Sequence, residues 1–122
     1  MTLRQFAARG AAALLLAAAA PLAFAHAHPT ERTPGAGATA PASTTAVTID
    51  FDEGLEPAFS SIKVTEAAGQ SVTRGKSSVG GDAGKRMSVA LAALKPGVYT
   101  VHWVAVATDG HRTQGTYTFT VQ

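Results

Sequence analysis

Between Val98 and Val121 one pattern occurs twice, and it admits few folds. Tyr99, Val101, Trp103 and Ala105 fall on alternate positions, and so do Tyr117, Phe119 and Val121. Successive side chains of a strand point to opposite faces, so each run predicts one face to bury and one to leave in water. Thr108-Asp109-Gly110-His111-Arg112 lies between the two runs as a connection. Lys95-Pro96-Gly97, just before the first run, has proline and glycine where a tight turn wants them.

The same alternation appears earlier. Val47, Ile49 and Phe51 alternate with Thr48, Asp50 and Asp52, and Ile62 with Val64, and Met87 with Val89 and Leu91, repeat it. Gly75 to Gly84 is rich in glycine and serine and reads as a loop, with room for a short strand at Val79. Residues 26–45 carry Pro29, Pro34 and Pro41 without clear periodicity, and read as a loose approach to the domain, with an edge strand compatible with the prolines. Six or seven short strands separated by turns predict an all-β, antiparallel sandwich of immunoglobulin-like kind. No helix is expected in it.

The chain starts differently. Arg4 and Arg9 precede an apolar run from Ala11 to Ala20, Pro21 ends the run, and Ala23-Phe24-Ala25 offers a small-x-small cleavage site. This is the layout of a secretory signal peptide. The run falls short of the roughly 20 residues that span a bilayer. The expected division is a signal peptide at residues 1–25 and a domain at residues 26–122, exported and without stable membrane insertion after cleavage. Ten basic residues face eight acidic ones in the whole chain, and the excess is Arg4 and Arg9. The domain is therefore formally neutral, and nucleic acid is not an expected partner. It has no cysteine, so it must rely on its core where small exported domains often use disulfides.

Cleavage after Ala25 would make His26 the first residue. Its α-amine and imidazole could then close a chelate ring on a metal ion, and nitrogen donors in a tetragonal arrangement favour Cu(II). Asp109 and His111 are two apart, and Gly110 lets the chain bend so that both reach one point. Together with His26 they would complete a set of three nitrogens and one oxygen. Taken alone, the triplet reads first as an ordinary polar turn. His28, third after cleavage, suggests a competing square-planar chelate through two backbone amides, or simply an exposed histidine. His102 reads as a surface strand residue, and Trp103 and Met87 read as core.

His26-Ala27-His28, Gly97-Val98-Tyr99-Thr100-Val101-His102-Trp103, Asp109-Gly110-His111 and Gly115-Thr116-Tyr117-Thr118-Phe119 together resemble the CopC copper-resistance family. Thr33-Pro34 and Phe51-Asp52-Glu53-Gly54-Leu55 look like further segments of that family. The resemblance implies a Greek-key β-sandwich holding one Cu(II) on His26, Asp109 and His111, with Glu53 near the metal. It implies a periplasmic, non-enzymatic protein that sequesters or carries copper in resistance or homeostasis, with an inner-membrane CopD-like transporter as partner. The chain lacks the methionine-rich Cu(I) segment of some members, and Pro29-Thr30-Glu31-Arg32 stands where many carry an apolar strand. Two alternatives follow from the same residues. One is a copper-dependent oxidative enzyme of histidine-brace type, and the other a metal-free immunoglobulin-like interaction module.

Overall fold

The computed structural model describes residues 26–122, and the expected signal peptide at residues 1–25 lies outside the described residues. The alternating runs do form strands. Val47, Ile49 and Phe51 are buried, whereas Thr48 and Asp50 between them are only partly covered. In chain order the strands are β1 (Pro29–Thr33), β2 (Thr39–Ala40), β3 (Ala46–Phe51), β4 (Ser61–Thr65), β5 (Thr73–Gly80), β6 (Arg86–Leu91), β7 (Gly97–Val106) and β8 (Arg112–Val121). One sheet has the order β1-β3-β6-β5 and the other β2-β8-β7-β4. All pairings are antiparallel except that of β2 with β8.

The two inner faces meet in one core. Phe119, Ile49, Met87, Val47 and Val64 are among its fully buried side chains. Each such side chain contributes about 1.5–3 kcal/mol by leaving water, which is how a chain without cysteine holds two sheets together. Met87 and Trp103 are core residues, as expected. Phe51 meets the Trp103 ring edge-on at 5.5 Å. Trp103 also lies across Gly115 on the next strand, where an added Cβ would come within 2.7 Å of the indole.

Three expectations need correction. The Gly75–Gly84 segment is mostly strand, with β5 running to Gly80 and a short 3-10 turn at Asp82–Gly84. The partly covered residues of β5 are Thr73, Ser77 and Val79, so the strand lacks an apolar row. Ser77 instead bonds across to the other sheet: Ile62 N–H donates to its Oγ at 2.7 Å, and its hydroxyl donates back to Ile62 O at 3.1 Å. Residues 26–45 are not loose either. They contain β1, an edge strand paired to β3 with a register shift between Pro29 and Glu31, and the short β2. The described residues consequently form eight strands.

Candidate metal centre

The hairpin joining β7 to β8 is built by its backbone. Ala107 N–H donates to His111 O at 2.9 Å, and Gly110 N–H donates to Ala107 O at 2.8 Å. This closes a three-residue turn, Thr108-Asp109-Gly110, whose last residue must turn left-handed. Gly110 does so, with φ +90°, a conformation costly for any residue with a Cβ. The turn folds Asp109 back onto His111. Its Oδ1 accepts the His111 backbone N–H at 3.0 Å, and its Oδ2 lies 3.0 Å from His111 Nδ1. The His111 backbone N–H, then its imidazole, hold the Asp109 carboxyl below the usual carboxylate range, and the charge of His26 adds to the effect. Both side chains remain substantially open to solvent.

The amino-terminal arm reaches the same place from the other end of the described chain. Ala27 is fully buried. Thr113 Oγ1 donates to Ala27 O at 2.7 Å, and His28 N–H donates to Asp52 Oδ1 at 2.7 Å. Asp52 N–H returns a bond to His28 O at 3.0 Å. These contacts set the His26 ring 5.2 Å from the His111 ring, centroid to centroid, at 68°. His28, which is exposed, lies 6.0 Å from His26.

The structure thus brings together His26, Asp109 and His111, with His28 alongside. His111 is common to both contacts, with Asp109 on one side and His26 on the other. Among the described residues, no three histidine, aspartate or glutamate side chains already form a group able to hold a metal ion. The donor chemistry nevertheless suits one, since two imidazoles and an ionised carboxylate share a single surface patch, with His26 partly covered. Glu53 is partly covered on the loop beside the turn, where Thr108 N–H donates to Gly54 O at 3.1 Å and Leu55 bridges to Ala107. His102 lies on the outer face of β7, its Nε2 3.3 Å from Thr65 Oγ1 on β4.

Sequence reasoning missed Asp52 and Thr113, the residues that hold the arm. Thr113 carried one available signal, because it sits two positions past His111, on the inward side of the alternation that leads to Tyr117 and Phe119. Asp52 looked like the polar residue that ends an alternating strand, and nothing local marked its partner 24 positions away.

Comparison with known proteins places this arrangement in context. The family model for the CopC domain matches residues 29–122. Protein YobA of Escherichia coli (strain K12) is 41% identical over 103 residues, which cover 84% of this chain and 83% of YobA. Copper transport protein CutJ of Bacillus subtilis (strain 168) is 33% identical over 99 residues, 80% of this chain but 18% of CutJ. Crystal structures of CopC from Methylosinus trichosporium OB3b and of PcoC, a methionine-rich copper resistance protein from Escherichia coli, each superpose with a TM-score of 0.70 at 30% identity. Each covers 80% of this chain, and the match takes in 94% of that CopC chain and 100% of PcoC. With the family model running from Pro29 to Gln122 and the fold shared with two members, this chain belongs to the CopC family.

Proposed function

We propose that the chain is exported to the periplasm, loses residues 1–25, and as residues 26–122 binds one Cu(II) ion, which it sequesters or carries. The ligands are the α-amine and imidazole of His26, the Asp109 carboxylate and the His111 imidazole. The observation that carries this reading is the approach of His26 to His111, 5.2 Å between ring centroids, by an arm anchored on β8 and on the loop that leaves β3. The set becomes four donors only when His26 is first in the chain, because its nitrogen is then an amine and not an amide. Three nitrogens and one oxygen suit the tetragonal preference of Cu(II). Relatives named for copper resistance and copper transport support the assignment. Met87 is the sole methionine of residues 26–122, and it is buried between the sheets. The reading therefore includes no methionine-rich Cu(I) site. An inner-membrane CopD-like transporter is the partner this role calls for.

The test is a Cu(II) titration of protein verified to begin at His26. One equivalent should bind, with a tetragonal nitrogen-and-oxygen signal in electron paramagnetic resonance. Protein that retains Ala25 should bind far more weakly. Equal affinity of the two forms would overturn the role of the amine.

A further inference from the structure

The peptide unit between Ala27 and His28 is held at both ends. Its carbonyl oxygen accepts Thr113 Oγ1 at 2.7 Å, from the sheet of β7 and β8. Its N–H donates to Asp52 Oδ1 at 2.7 Å, from the loop that leaves β3 in the opposite sheet. Asp52 completes a reciprocal pair by donating its own N–H to His28 O. One peptide plane is thereby fixed between the two halves of the sandwich, with Ala27 fully buried beside it.

This matters because the arm carries a second way to bind the same ion. A chain that begins His26-Ala27-His28 can wrap Cu(II) in a square plane through its amine, the amide nitrogens of residues 27 and 28, and the third imidazole. Both amide protons are then released to solvent and replaced by the metal. The His28 ring is close enough to compete, at 6.0 Å from His26 against 5.2 Å for His111. The wrapped form needs the His28 amide nitrogen turned toward the metal, and Asp52 holds that N–H.

We propose that Asp52, with Thr113, determines which copper site forms: by locking the 27–28 peptide they exclude His28 and commit the ion to Asp109 and His111. The inference rests on His26 being an amino-terminal copper ligand, and it assigns Asp52 a positioning role in the site's selectivity. A side chain that supports metal ligands from outside typically changes affinity by about 10–100-fold when removed. Here the larger effect is a change in coordination.

The experiment uses protein beginning at His26, in wild-type, Asp52→Ala, Asp52→Asn and Thr113→Val forms, each loaded with one equivalent of Cu(II). Wild type should give a single nitrogen-and-oxygen species that His28→Ala leaves unchanged. Asp52→Ala and Thr113→Val should each add a species with more nitrogen hyperfine lines and visible absorption shifted to shorter wavelength. That species should vanish when His28→Ala is added. Asp52→Asn, which keeps an acceptor oxygen, should show less of it. Without copper, the His28 amide should exchange slowly in wild type and rapidly in Asp52→Ala. Circular dichroism checks each fold, and Thr113→Val carries the test if Asp52→Ala does not fold. A single unchanged copper species in every folded variant would overturn the proposal. A wild-type signal that already depends on His28 would overturn it as well. Failure of the underlying reading looks different, because wild type itself would then bind no copper or ignore His111→Ala.

Discussion

The two ends of β7 are closed in opposite ways. At its start, the Lys95-Pro96-Gly97 turn is closed from inside. The Tyr99 hydroxyl donates to Lys95 O at 2.6 Å and accepts Lys95 N–H at 2.9 Å, while its ring stacks on Phe119 at 5.4 Å. At its finish, the backbone closes the turn, and the side chains of Asp109 and His111 lie outside the core, paired to each other and open to water. One end spends its polar atoms on the fold. The other leaves titratable donors where a ligand can reach them. Stability and function should therefore separate along this one strand.

Acid should expose the difference most strongly. Copper bound through an amine and two imidazoles must compete with protons at each nitrogen, so binding weakens as pH falls. Asp109 behaves otherwise. Its folded-state pKa is lowered, so its favourable contacts are present above the unfolded carboxylate range and are lost only as pH falls through the lowered value. Copper should leave while Asp109 is still ionised and the fold intact. Parallel readings of copper resonance and far-ultraviolet circular dichroism against pH check this, and coincident losses would merge the two ends of the strand into one unit.

Next in size is the pair of histidine substitutions. His111→Ala should weaken Cu(II) by at least about 100-fold, since removing mere supporting groups already costs 10–100-fold. His102→Ala, on the outer face of the same strand, should change affinity little. Competition titrations with a chelator measure both. Neither should move apo stability by more than about 0.5 kcal/mol, as both residues are exposed. Tyr99→Phe should show the reverse pattern. It should cost about 1–2 kcal/mol in urea unfolding for the two lost hydrogen bonds, with copper affinity unchanged.

The smallest effect is expected at Tyr117. Its hydroxyl is buried without a hydrogen-bond partner among the described residues, and burial pushes its pKa up to about 12. An orphaned buried hydroxyl contributes nothing that its removal can forfeit. Tyr117→Phe should match or slightly exceed wild type in thermal stability, keeping the contact of its ring with Arg32, now 5.6 Å away. A loss of more than about 1 kcal/mol would mean that the hydroxyl has a partner after all.

Alternation made β3, β4, β6, β7 and β8 legible, because each buries an apolar row. The same signal fails for β1 and β5. Arg32 is a partly covered residue of β1 and lies over the Tyr117 ring, so the strand is held by backbone pairing and a cation on an aromatic face. β5 sets Thr73 and Ser77 beside Val79 at its partly covered positions, where β3 buries valine, isoleucine and phenylalanine. The candidate site was half legible. His26, Asp109 and His111 could be named from their chemistry and from the family resemblance. What brings them together could not, because Asp52 and Thr113 act through hydrogen bonds to main-chain atoms 24 and 86 positions away.

The bond from Thr113 to Ala27 has a consequence for timing. It joins the first described residues to the last strand, 86 positions apart. Closing a contact of such separation costs chain entropy that must be met before the contact rewards it. A chain that emerges with its amino terminus leading would present His26 long before β8 exists to receive it. The patch of His26, Asp109 and His111 is therefore complete only once the hairpin of β7 and β8 has formed and received the arm.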